Sequence, residues 1–128
     1  MPTPVTSVQA QTVLVVDDES LIRWSLRDRL SRAGYRVLEA GDAAHAEAAL
    51  RETDVDLVLL DFKLPDADGI SVLEHRADFR GRPAVIMMTA FGTPETAESA
   101  RRLGASHFIG KPFDLDEMMG LVRSTLAA

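Results

Sequence analysis

Five short apolar runs, each followed by a stretch with helical periodicity, narrow the folds open to this chain more than any other feature. The runs lie at 12–16, 36–39, 56–60, 84–88 and 107–109, and are numbered β1 to β5. Most are continuously apolar, without period-two alternation, as expected of parallel strands covered on both faces. The helical stretches are 19–33, 43–52, 69–78, 94–103 and 115–126, numbered α1 to α5. In α1, Ile22, Leu26, Leu30 and Ala33 recur at helical spacing and predict a buried stripe, with Gly34 as the stop. Asp42 and Thr93 are placed to cap α2 and α4, with Pro94 at the first helical position. Asp114 with Glu117 has the form of a capping box at α5, with Asp in the Ser/Thr place. Strand and helix alternating in this way predict an α/β fold, with a five-stranded parallel sheet, helices on both faces and right-handed crossovers.

The polar residues that end the runs are more telling than the runs. Asp17 and Asp18 follow β1, Asp61 follows β3, Thr89 follows β4 and Lys111 follows β5. In open parallel sheets, function gathers beyond the carboxyl ends of the strands, where strand order reverses. Three carboxylates brought together there repel unless a cation sits among them. The pattern therefore points to a metal-assisted phosphoryl site.

Four segments in this order carry a family resemblance: VLVVDDE at 13–19, DFKLPDADG at 61–69, MTA at 88–90 and KPF at 111–113. Together they resemble the receiver domain of bacterial response regulators (CheY-like) over about residues 12–126. The resemblance implies the flavodoxin-like (βα)5 strand order 2-1-3-4-5, with the switch point between β1 and β3. It implies that Asp61 is the phosphoacceptor, attacking the phosphohistidine of a sensor histidine kinase. It also implies Mg²⁺ held by Asp18 directly, by Asp17 mainly through water, by Asp61 and by the backbone carbonyl of Lys63. Thr89 would donate to one phosphoryl oxygen and Lys111 would pair with another, and with Asp61 before phosphorylation. Pro112 matches the family's cis-proline. Phe108 stands at the aromatic switch position, so the switch pair would be Thr89 and Phe108. Lys63 and Phe91 would flank the mouth of the site and tune the phosphoryl lifetime. The segments at 19–26 and 88–95 are most similar to receivers of NtrC-like activators of sigma-54 transcription. That finer likeness implies C-terminal AAA+ and DNA-binding domains in the full protein. It also implies a phosphorylation-dependent homodimer through the α4–β5–α5 surface.

Composition closes off other classes. The net charge of −6 argues against direct nucleic-acid binding by this chain. With no cysteine, neither a disulfide framework nor a zinc–thiolate site can form. No apolar stretch approaches the roughly 18 residues of a membrane span, and the N-terminus has no secretory pattern. A cytoplasmic protein is the expectation, with residues 1–11 as a disordered leader and 12–126 as the domain. His45, His75 and His107 share no metal-ligand spacing and read as two surface residues and one strand residue. Asp66 and Asp68 read as turn formers, and Gly69 as a tight turn or close packing. Trp24 lies nearly opposite the α1 stripe and reads as a cover for the sheet edge or a nearby loop, with a partner interface as the alternative. A metal-dependent phosphohydrolase acting through a covalent aspartyl phosphate is the competing function. Such enzymes of the haloacid-dehalogenase type use a DxDxT-like motif, and here Asp61 is followed by Phe62, Lys63 and Leu64, without the second Asp.

Overall fold

The computed structural model describes residues 10–90 and 92–127. Its strands are β1 (Thr12–Val16), β2 (Arg36–Ala40), β3 (Leu57–Asp61), β4 (Ala84–Thr89) and β5 (His107–Gly110), all parallel in one sheet of order β2-β1-β3-β4-β5. The helices are α1 (Ser20–Arg32), α2 (Ala43–Glu52), α3 (Gly69–Glu74), α4 (Pro94–Arg102) and α5 (Leu115–Leu126). The expected fold is the observed one. The segment expected as one helix over 69–78 is α3 followed by a 3-10 turn, Arg76–Asp78.

Alternate residues of the strands feed two separate cores, because successive side chains leave a strand on opposite faces. Leu14, Val16, Val58, Leu60, Val85 and Met87 pack under α2, α3 and α4. Val13, Val15, Leu57, Leu59, Ile86 and Met88 pack under α1 and α5, against Leu26, Leu30, Met118 and Val122. Burial on both faces is why β1, β3 and β4 are almost wholly apolar, while the edge strands β2 and β5 carry exposed Arg36, Glu39 and His107.

Most of the punctuation follows the sequence. Gly34 has φ +97°, Gly34 N–H donates to Ser31 O and Tyr35 N–H to Leu30 O, so α1 ends in a Schellman motif. Ala33 therefore falls on the exposed cap rather than in the stripe. Asp42 accepts from His45 N–H and Thr93 from Thr96 N–H, as caps do. Asp114 accepts from Asp116 N–H, one residue short of the bond a capping box requires. The Lys111–Pro112 bond is cis. Trp24 is 60% exposed, on the side of α1 away from buried Leu26 and Leu30. Of the leader, residues 1–9 lie outside the described residues, while the Gln11 carbonyl accepts Arg36 N–H beside β2. Among the described residues no helix is long and apolar enough to cross a membrane.

Candidate functional site

The register of the sheet assembles the site. Asp17 is the residue after β1 and its N–H bonds to Ala40 O, so it stays at the sheet edge and is fully buried. Asp61 and Thr89 are the last residues of β3 and β4, at 5% and 3% exposure. Thr89 pairs in register with Gly110, and Lys111 N–H donates to Thr89 O at 2.7 Å, which delivers the lysine to the same edge. Lys111 Nζ lies 2.7 Å from Asp17 Oδ2, 3.1 Å from Asp61 Oδ2 and 3.6 Å from Glu19 Oε1. The expected Lys111–Asp61 pair is present, and the lysine sits closer still to Asp17. Asp18 stands exposed at the mouth.

Charge in this pocket is unbalanced. Burial first, and then the Asp17 charge, push the Asp61 carboxyl up to about 6, against the opposing pull of Lys111 and the Lys63 N–H. Burial pulls the Lys111 ammonium down, but hydrogen bonds and charge from Asp17 and Asp61 outweigh it and raise it above the usual lysine value. One cation thus serves several acids. Asp17, Asp18 and Asp61 each offer an oxygen, and these lie within 4.8 Å of one another. Hard oxygen donors, an excess of negative charge and an exposed third carboxylate fit a divalent cation of the magnesium type.

The loop after β3 closes one side. Phe62 N–H donates to Met88 O and Gly69 N–H to Phe62 O, which pins the loop's two ends. A Cβ on Gly69 would lie 2.9 Å from Met87 Sδ and 3.0 Å from Asp61 O, so close packing requires glycine there. Asp68 caps α3 through Ser71 N–H. Asp66 does more than turn the chain: its two oxygens accept Ala43 N–H at 2.8 Å and Ala44 N–H at 3.0 Å, tying the loop to the start of α2. Sequence reading missed this because the partners are backbone groups 23 and 22 residues away. It also missed Arg23, whose Nη1 donates to Asp17 O at 2.6 Å.

On the β5 side, the Phe108 ring is half-buried and reaches the loop after β4. A Cβ on Gly92 would lie 2.6 Å from Phe108 Cε1 and 3.0 Å from Thr89 Cγ2. The ring and the Thr89 methyl therefore meet at Gly92, so the two residues expected to act as a switch are neighbours. Phe91 lies outside the described residues. The histidines stand apart from the site: His45 pairs with Asp42, His75 with Glu47, and His107 begins β5.

The sequence model of the response regulator receiver domain matches residues 13–123. The chain belongs to that family. It is 34% identical over 116 residues to sporulation initiation phosphotransferase F of Bacillus subtilis, covering 91% of this chain and 94% of that protein. To the DNA-binding transcriptional regulator NtrC of Rhizobium meliloti it is 38% identical over 116 residues, covering 91% of this chain but only 24% of that protein. The solution structure of the beryllofluoride-activated NtrC4 receiver domain dimer superposes with a TM-score of 0.84 at 31% identity, covering 91% of this chain and 96% of that one. The chain is a two-component receiver domain of the NtrC-like kind. Receivers are signalling domains, and the acidic cluster is of the kind that in this family holds a divalent metal.

Proposed function

We propose that Asp61 accepts a phosphoryl group from the phosphohistidine of a cognate sensor histidine kinase. An Asp61 oxygen forms the new bond to phosphorus as the bond from phosphorus to the histidine nitrogen breaks. The observation that carries this reading is the placement of Asp61: almost fully buried at the end of β3, 3.1 Å from Lys111, with Asp17 and Asp18 beside it. Mg²⁺ would be held by Asp17, Asp18, Asp61 and the Lys63 carbonyl, and would supply positive charge to the transferring phosphoryl oxygens. Lys111 adds a fixed cation and Thr89 a hydroxyl donor. The family match supports a receiver over a phosphohydrolase, so one phosphoryl group per chain is expected rather than turnover of an external ester. Incubation with acetyl phosphate and Mg²⁺, followed by intact mass, tests this. A single transient adduct is expected, and no adduct, or sustained release of phosphate without one, would reject it.

The proposed output runs through Thr89 and Phe108, which both border Gly92. A phosphoryl oxygen draws the Thr89 hydroxyl inward through a charge-assisted bond, and the Phe108 ring turns into the space released. The ring has no hydroxyl needing a partner, so its inward state costs no unsatisfied polar group. The surface of α4, β5 and α5 then changes shape and favours a homodimer. The likeness to the NtrC4 receiver dimer supports that output. Sedimentation with and without beryllofluoride and Mg²⁺ tests it, and an unchanged mass would reject it. The length of the NtrC relative beyond the matched region supports C-terminal AAA+ and DNA-binding domains in the full protein, acting in the cytoplasm on transcription. Residues 12–126 form the phosphoacceptor domain in this reading, and the net charge of −6 leaves nucleic-acid binding to those other domains.

A further inference from the structure

One side chain holds the Asp17-Asp18 turn from behind. Arg23, in the first turn of α1, donates from Nη1 to Asp17 O at 2.6 Å. Its Nε meets Glu39 Oε1 of β2 at 3.3 Å, and its side chain is 22% exposed. Gly41, just past β2, makes room for it: a Cβ there would lie 3.2 Å from Arg23 Nη1. Asp17 is thus fixed at every polar group. Its N–H donates to Ala40 O, its carbonyl accepts from Arg23, Oδ1 accepts Glu19 N–H at 2.9 Å and Oδ2 accepts Lys111 Nζ at 2.7 Å.

The geometry points to Arg23 as a positioning residue for the cation site, braced by Glu39 and acting through the Asp17 carbonyl. Fixing that peptide fixes the direction in which the next residue, Asp18, presents its exposed carboxylate. The inference rests on the cation reading above and adds a residue that would not itself touch the cation. Charge and position predict opposite signs. A guanidinium near a bound cation repels it, so charge alone says that removing Arg23 tightens binding. Position says that removal loosens binding, because a ligand without its supporting hydrogen bonds must be ordered when the metal arrives. Lysine cannot substitute, since one ammonium lacks the planar fork that spans the Asp17 carbonyl and Glu39. Arg27 supplies the control. It lies on the same helix and pairs with the other Glu39 oxygen at 3.2 Å, with its side chain 60% exposed.

The test is a calorimetric Mg²⁺ titration of the parent, Arg23→Ala, Arg23→Lys and Arg27→Ala, with far-ultraviolet dichroism to confirm folding. The Mg²⁺ dissociation constant should rise about tenfold in both Arg23 variants and stay unchanged in Arg27→Ala. If Arg23→Ala does not fold, Arg23→Lys decides, since it retains the charge and most of the stem. Unchanged or tighter binding in the Arg23 variants, with normal binding by the parent, would overturn the role of Arg23 alone. An equal loss in Arg27→Ala, which shares Glu39 but not the Asp17 carbonyl, would assign the effect to the Glu39 pairing and overturn it too. A parent that binds no Mg²⁺ would overturn both the cation reading and the inference built on it.

Discussion

Two groups of carboxylates sit at the carboxyl edge of this sheet, and the chain treats them in opposite ways. Asp17, Asp18 and Asp61 face one another across a pocket with Lys111 as the cation among them. Asp42 and Asp66 meet at the start of α2, where each faces backbone N–H groups. Burial and the Asp17 charge raise Asp61 to about 6. The His45 N–H lowers Asp42 and the Ala43 and Ala44 N–H groups lower Asp66, since donors stabilise the charged form. The pocket has donors too, from the Glu19 and Lys63 N–H groups and from Lys111, but they do not offset the burial of Asp61, and a cation can relieve the negative charge that is left. At α2 the N–H groups of the helix start suffice.

The largest contrast should appear in phosphoryl transfer. With acetyl phosphate and Mg²⁺, the parent is expected to form one adduct and Asp61→Asn none, while Asp66→Asn labels like the parent. Intact mass spectrometry reads all three. Labelling of Asp61→Asn would place the acceptor elsewhere, and loss of labelling in Asp66→Asn would erase the distinction between the clusters.

Cation binding should separate them next. On the proposed reading Mg²⁺ would bind the folded pocket and not the unfolded chain, so a concentration of 100 times its dissociation constant would stabilise by about 2.7 kcal/mol. Thermal melts of the parent should shift upward with Mg²⁺. Asp18→Ala should lose that shift, and Asp42→Ala should keep it. Equal protection of Asp18→Ala would show that the ligand set is wrong.

Acid titration gives a smaller effect whose sign differs between the clusters. Asp61 moves from 3.8 unfolded to about 6 folded, so the native state binds more protons in that window. Stability from this group is full below the unfolded value and is lost as pH rises through about 6. The loss is on the order of 3 kcal/mol, because one pKa unit corresponds to about 1.4 kcal/mol. Asp42 and Asp66 are lowered, so their contribution is present above the unfolded value and is lost as pH falls. Without Mg²⁺, urea unfolding at about pH 4 and about pH 7 should show Asp61→Asn gaining on the parent by roughly that amount at the higher pH. A gain that does not change with pH would mean that Asp61 is not the strained acid.

Why one cluster was legible in the sequence, and of the other only the Asp42 cap, follows from the same contrast. Asp17, Asp61, Thr89 and Lys111 end apolar runs, and parallel pairing puts all run ends at one edge whatever the side-chain detail. Even the ion pair between Lys111 and Asp17, 94 residues apart, is a consequence of strand order. The partners of Asp66, and the Asp17 carbonyl that Arg23 meets, are backbone groups, which leave no mark on residue type or spacing. Arg23 reads as one more polar residue on α1, and only the geometry shows it on the Asp17 carbonyl. For Trp24 a helical wheel gives the face it occupies, which is largely exposed, but not whether a neighbouring element reaches that face.

The smallest expected effect tests whether Asp66 is purely structural. Its two accepted bonds tie the β3–α3 loop to α2 and satisfy N–H groups that a helix start leaves open. Asp66→Ala removes both, and a lost cap of this kind should lower the melting temperature by about 4 °C. Asp66→Asn keeps an acceptor oxygen and should recover part of that. Because the same loop carries Lys63, whose N–H bonds the Asp61 carboxyl, a loosened loop can also reach the pocket. If the clusters are independent, the upward shift of the melting temperature by Mg²⁺ will be the same in Asp66→Ala as in the parent, added to a lower baseline. If the loop transmits the change, the Mg²⁺ shift will shrink as well. Additivity is expected, since Phe62 and Gly69 pin the loop ends through Met88 O and Phe62 O without help from Asp66. A Mg²⁺ shift cut by half or more in Asp66→Ala would show that the α2 cap belongs to the cation site after all.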